Sequence, residues 1–207
     1  MYSIDCFSEV STPDTKVYRH EERENQLKQL IFIKKDLFYL NVRRKKMATR
    51  TWLEEASDEE LIEHILNRYH DTHRDQLPEM IRLAQRVERV HSGHPECPAG
   101  LSAHLETMQA ELENHMAKEE QILFPMIVRG ISGMARGPIS VMRSEHDEHA
   151  AALTRLHELT NGLTLPEGAC NTWRRLYEEI GRFRQDLRDH IDTENTVLFA
   201  RIDGLSA

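Results

Sequence analysis

The chain has 207 residues, 30% of them charged and only 6% aromatic, with few glycines and prolines and a formal net charge of −8. That balance favours long amphipathic helices over a strand-rich fold, and it argues against nucleic-acid binding by the chain as a whole. The charge is uneven: residues 1–50 carry 11 Lys/Arg against 7 Asp/Glu and residues 51–207 carry 16 against 28, a shift that suggests a boundary near residue 50.

In the first segment, whose pattern is poorly defined, residues 21–40 are compatible with a helix, and Arg43, Arg44, Lys45 and Lys46 make a basic run of the kind that is usually solvated. The apolar stretch of residues 30–40 is interrupted by Lys34, Lys35 and Asp36, so it is too short and too charged to cross a bilayer. No signal peptide is visible. Cys6, Cys97 and Cys170 stand far apart, in odd number and without a C-x-x-C pair, which suits a reducing compartment and makes the cytoplasm the expected location. Cys97 and Cys170 are read as small, half-buried side chains.

Four helical arms follow. The first opens at Ser57 with an S-x-x-E capping box to Glu60 and should run to about Val90, with a kink at Pro78. The second should start near Pro98 and end near Gly130, and the third should start near Pro138 and stop at Asn161-Gly162. The fourth is expected from about residues 166–169 to Gly204. Short connections between arms of this length predict an all-α, antiparallel up-down four-helix bundle.

An internal repeat carries the chemistry. Residues 115–125 read H-M-A-K-E-E-Q-I-L-F-P and residues 190–200 read H-I-D-T-E-N-T-V-L-F-A, both fitting H-x-x-x-E-x-x-x-L-F. His70-Asp71-Thr72-His73 and His146-Asp147-Glu148-His149 also match, and the intervals from His70 to His115 and from His146 to His190 are 45 and 44 residues. The bundle is therefore read as two copies of one helical hairpin, related by a pseudo-twofold axis. Residues at i and i+4 share a helix face, so His115 with Glu119, and His190 with Glu194, address one centre each. Ile122, Leu123, Phe124 and Met126, like Val197, Leu198 and Phe199, should turn that face inward.

A histidine and a glutamate buried side by side are costly unless a cation accepts their lone pairs. Four histidines and two glutamates are too many for one zinc ion and too rich in nitrogen for calcium or magnesium. Two iron ions, each with two imidazoles and both bridged by Glu119 and Glu194, use the whole set: His70, His115, Glu119, His146, His190 and Glu194. The pattern differs from ferritin-like bundles, which use Glu-x-x-His. His73 and His149 are read as solvent-facing flank residues, with a supporting contact behind the site as the alternative. His20, His64, His91, His94, His104 and His157 are read as surface residues. Glu111 and Asp186 precede ligand histidines by four residues and are weighed as acceptors for the second imidazole N–H, against plain surface charge. Glu145 is weighed in the same way as a residue lining an entrance.

The stretches ILNRYHDTHRDQLPEMI, NHMAKEEQILFPMI, GPISVMRSEHDEH and DHIDTENTVLF resemble the iron–sulfur cluster repair (repair-of-iron-centres) proteins with a hemerythrin-like domain, over roughly residues 57–203. The resemblance implies that residues 51–207 are a hemerythrin-like bundle holding two non-haem irons, oxo-bridged when oxidised, in a protein made under oxidative and nitrosative stress. It also implies repair of damaged iron–sulfur clusters through a labile di-iron centre. The partners it implies are damaged iron–sulfur proteins or cluster-assembly machinery, nitric oxide as a small ligand, no nucleic acid, no membrane, and a homodimer as the candidate assembly. Oxygen-carrying relatives have H-x-x-x-H in the third helix and H-x-x-x-x-D in the fourth, where this chain has Ala150 and Asn195. Six ligands then leave both irons open to an outside ligand, which suits reaction or iron release. Long members of the family also begin with a domain bearing a Cys-Cys-Gly-Gly motif, and residues 1–50 hold only Cys6. The alternatives kept open are a nitric oxide reductase or scavenger and an oxygen or nitric oxide sensor.

Overall fold

A computed structural model describes residues 51–204; the fold set out below is that of the compact unit beginning at Leu53. The expectations for residues 21–40, for the basic run and for Cys6 lie outside the described residues. Among the described residues there is no strand.

The first arm comprises α1 (Asp58–Ile65), a π-helical turn (Leu66–His70) and α2 (Asp71–Val90). The second comprises α3 (Leu101–Lys118), a π turn (Glu119–Leu123) and α4 (Phe124–Val128). The third is the single helix α5 (Ser132–Leu159), and the fourth comprises α6 (Asn171–Thr193), a π turn (Glu194–Leu198) and α7 (Phe199–Gly204). The first arm packs on the second and fourth, and the third on the second and fourth, giving the expected antiparallel ring.

The Ser57 capping box forms as read: Glu60 N–H donates to Ser57 Oγ at 3.2 Å and Ser57 N–H to Glu60 Oε2 at 2.8 Å. Such a cap is worth about 1 kcal/mol. Two boundaries differ from expectation. Pro78 lies on the exposed side of α2 without breaking it. The third arm begins six residues before Pro138, at Ser132, so this proline is accommodated early in α5.

The interior has two apolar halves. One is built from residues 77–87, 101–116, 153–156 and 169–187, with Trp173, Phe183 and Leu112 fully enclosed. The other gathers residues 56–69, 123–142 and 198–202 around Phe199, Leu123 and Leu61. On every arm the histidines and glutamates of the repeat fall between these halves, so a polar layer is sealed from above and below by hydrocarbon. Leu123, Phe124, Leu198 and Phe199 point inward as expected, whereas Ile122 is 53% exposed. The π turn explains this: one extra residue per turn rotates Ile122 off the face that a regular helix would give it.

Candidate metal centre

Each of the three π turns borders a residue of the polar layer: His70 ends the first, Glu119 opens the second and Glu194 opens the third. Such turns re-aim side chains at a local cost in hydrogen-bond geometry, and they concentrate at functional sites. The six residues His70, His115, Glu119, His146, His190 and Glu194 are all buried, and the fold brings all six together.

Their contacts divide into two lobes. In one, His70 Nε2 lies 3.3 Å from Glu119 Oε2 and His190 Nε2 lies 3.1 Å from Glu194 Oε1. In the other, His115 Nε2 lies 3.4 Å from Glu119 Oε1 and His146 Nε2 lies 3.0 Å from Glu194 Oε2. Each carboxylate therefore turns one oxygen to each lobe. The donor atoms of His70, Glu119, His190 and Glu194 lie within 4.8 Å of one another, as do those of His115, Glu119, His146 and Glu194.

The electrostatics of this layer ask for a cation. His115 Nε2 and His146 Nε2 face each other at 3.2 Å, a distance that needs a proton or a metal between them. His70 Nε2 and both oxygens of Glu119 are buried without a hydrogen-bond partner. Burial and the neighbouring Glu194 push the Glu119 carboxyl well above the usual carboxylate range. Burial also works against ionisation of Glu194, but His190 and His146 outweigh it and hold that group well below its ordinary value. Burial lowers His70 to about 4 and His115 to about 4, so both present neutral imidazoles. Neutral nitrogen and shared carboxylate oxygen in a dry layer are the donors a divalent transition metal takes up.

The second nitrogen of three imidazoles is anchored. His70 Nδ1 lies 2.8 Å from Glu120 Oε1, His115 Nδ1 lies 2.9 Å from Glu145 Oε2, and His146 Nδ1 lies 3.1 Å from Asn195 Oδ1. An oxygen acceptor at Nδ1 fixes the proton there and leaves the Nε2 lone pair facing the layer. Glu120 is held in turn by Arg74, which also pairs with Glu113, and Glu145 by Lys118. Stacking on Tyr69, whose hydroxyl meets Thr193 Oγ1 at 3.2 Å, orients His190.

Several sequence expectations change here. Glu111 is exposed, and Asp186 pairs with Arg68 and Gln76, so neither accepts from a histidine of the layer. That task falls to Glu120, Glu145 and Asn195, whose only sequence signal is adjacency to a repeat residue. Glu145 is thereby a partner of His115, a more specific place than the lining of an entrance. His73 and His149 are not solvent-facing: they are 0% and 4% exposed, with ring centres 5.4 Å from His190 and 5.0 Å from His115. Burial lowers both to about 3. The signal was present, because the second histidine of H-D-x-H recurs as faithfully as the first. Ala150, the position of the carriers' extra histidine, is exposed on the wall of a surface cavity with Asn195 and Asp192. His64, His91, His94 and His104 are half-buried rather than free on the surface: His64 packs edge-on against Tyr69 and His104 Nε2 meets the Ala152 carbonyl at 2.9 Å. His91 Nε2 lies 3.2 Å from Cys170 Sγ, and Cys97 and Cys170 are half-buried as expected.

No helix among the described residues is long and apolar enough to cross a membrane. Comparison with known proteins agrees with the layer's chemistry. Residues 61–202 match the family model of the hemerythrin HHE cation-binding domain. The chain is 55% identical over 141 residues to proteins named iron–sulfur cluster repair protein YtfE from Yersinia pseudotuberculosis serotype O:1b (strain IP 31758) and Yersinia pestis (strain Pestoides F). Each alignment covers 68% of this chain and 64% of the relative, so the chain spans somewhat less than two thirds of the proteins it matches. With the family's model covering most of its length and the paired histidines and glutamates gathered in one buried layer, the chain belongs to the hemerythrin HHE cation-binding domain family.

Proposed function

We propose that the two lobes hold two iron ions, with His70 and His190 on one, His115 and His146 on the other, and Glu119 and Glu194 bridging both. The observation that supports this most directly is the division of each carboxylate, one oxygen toward each lobe. A single ion would leave half of those oxygens and two imidazoles buried without a partner. Iron fits a set of four imidazoles and two carboxylates, and when bound it supplies exchangeable coordination positions and ferrous–ferric redox chemistry.

The function this supports is repair of iron–sulfur clusters damaged by oxidative or nitrosative stress, in the cytoplasm, with damaged cluster proteins or their assembly machinery as partners and nitric oxide as a small ligand. The residues' part is to hold the metal without saturating it. Two imidazoles and two shared carboxylates would give each ion four protein bonds. The anchored Nδ1 atoms keep the lone pairs aimed, and the hydrocarbon above and below excludes competing solvent. A centre of this kind binds small ligands and gives up iron more readily than one closed by further side chains. The names of the relatives point the same way.

Metal analysis of the purified, iron-reconstituted chain should give about two irons, following the two lobes. The loaded protein should restore a nitric-oxide-damaged [4Fe–4S] enzyme, and a Glu119→Ala, Glu194→Ala variant should not. Retention of a single metal, or a preference for zinc, would overturn the metal reading. Two bound irons with rapid turnover of nitric oxide, and no restoration, would make the chain a nitric oxide reductase instead.

A further inference from the structure

His73 has the marks of a metal-binding imidazole without belonging to either lobe. Its Nδ1 lies 3.4 Å from Gln76 Oε1, and the Gln76 amide is itself oriented by donating from Nε2 to Asp186 Oδ2 at 2.7 Å. Asp186 is pinned by Arg68 at 2.5 Å. Because the amide nitrogen is engaged by Asp186, the atom facing His73 is the carbonyl oxygen, an acceptor, so the histidine proton sits on Nδ1. Nε2 is then a bare lone pair, fully buried and without a partner. An unsatisfied buried acceptor costs about 1–3 kcal/mol, so its retention calls for a use. His70, His115 and His146 show the same pattern of an oxygen at Nδ1 and a lone pair at Nε2.

The surroundings say what that use is. On one side the His73 ring stands 5.4 Å from the ring of His190, against the lobe formed with His70. On the other it lines a cavity of about 300 Å³ between the first and second arms. Glu106 and Glu113 stand on the wall of the same cavity, both on the exposed side of α3, with Ala110 between them. Arg74 also lines it and pairs with both oxygens of Glu113 and with Glu120, so the charges of Arg74 and Glu113 cancel each other there. The cavity thus has Glu106, whose Oε1 accepts from Gln85 Nε2 at 2.9 Å, on its exposed wall and the buried His73 ring in its lining. Hydrated ferrous iron meets such donors in that order, oxygen first and nitrogen once its water has been shed.

We propose that His73 and the cavity it lines form a way-station through which ferrous iron passes between solvent and the lobe of His70 and His190. The inference rests on the di-iron reading above. The ion keeps its charge and oxidation state throughout: it exchanges water for the Nε2 lone pair, then Nε2 for the donors of the lobe. His149 is the pseudo-symmetric counterpart, but among the described residues no side-chain oxygen meets its ring as Gln76 Oε1 meets His73 Nδ1, so the station is assigned to one lobe.

The test uses the full chain, with uptake followed by the visible band of cobalt(II) added to metal-free protein and release followed by capture of ferrous iron with a coloured chelator. His73→Leu removes the lone pair at similar volume, and Ala110→Trp fills the cavity from its exposed wall while leaving His73 in place. Both variants should still bind two irons and should unfold, metal-free, no more easily than wild type, yet exchange metal about ten-fold more slowly. Wild-type exchange rates in either variant would overturn the proposal, as would loss of one iron from His73→Leu, which would make His73 a resident ligand. If wild type itself holds fewer than two irons, the di-iron reading fails and takes this inference with it. Two irons together with unchanged variant rates refute the way-station alone.

Discussion

Acidifying the metal-free protein should unfold it, and the size of the effect follows from four buried imidazoles. His70 and His115 are lowered to about 4, and His73 and His149 to about 3, in each case chiefly by burial. In the unfolded chain these groups take up protons near pH 6.5. Their native values are depressed, so between roughly pH 6.5 and 4 the unfolded state binds protons that the native state refuses, and stability falls as pH falls. From pH 7 to 5 each histidine costs about 2 kcal/mol, or about 8 kcal/mol for the four together. A whole domain commonly has about 5–15 kcal/mol in hand. Glu119, raised by burial and Glu194, has the opposite sign because the native state holds its proton, but it is one group against four. Glu194 is held low, and the stability it carries is lost only below this window. Urea unfolding of the chelator-treated protein, followed by circular dichroism at pH 7, 6 and 5, should show the midpoint collapsing. His149→Leu should remove about a quarter of the loss. An unchanged midpoint at pH 5, or no relief in that variant, would mean that these imidazoles are not buried and neutral in the metal-free protein.

Other perturbations probe the lobes singly. Glu119→Ala should disturb both irons and His70→Ala mainly one; a Mössbauer spectrum of Glu119→Ala with one iron site untouched would contradict the bridging assignment. Glu145→Leu removes the acceptor at His115 Nδ1 and frees Lys118, and should weaken iron binding by about 10–100-fold, read by chelator competition; wild-type affinity would show that the anchor is idle. A chain shortened to begin at Met47 is expected to fold and bind iron like the full chain, since every residue of the layer follows position 69; loss of iron on that truncation would place a contribution in the first segment.

The bundle and the six-residue layer were legible because both rest on period and repetition. A histidine and glutamate four apart share a face whatever the neighbouring helices do, and the second copy removes coincidence. What escaped has a physical reason in each case. A π turn has no composition of its own, so nothing in residues 119–123 announced that Ile122 would be carried outward. Glu111 and Asp186 have the right helical spacing to reach a histidine, but the bundle sends one to solvent and the other to Arg68. Glu120, Glu145 and Asn195 bond across arms, and contacts set by tertiary packing leave no interval to count. Pro78 shows the converse, a strong local signal absorbed on an exposed helix face.

The splitting of each carboxylate between the lobes has a consequence for how metal enters the protein. On the two-ion reading proposed above, an ion in one lobe would draw the proton from Glu119 and set the planes of both carboxylates, whose remaining two oxygens face the other lobe. The first ion would therefore bear the cost of ordering and deprotonation for both, and the second would bind to a site already made. Titration should be steep, with singly loaded molecules scarce at half saturation. Linkage would run equally in reverse, so withdrawal of one ion is expected to weaken the hold on its neighbour.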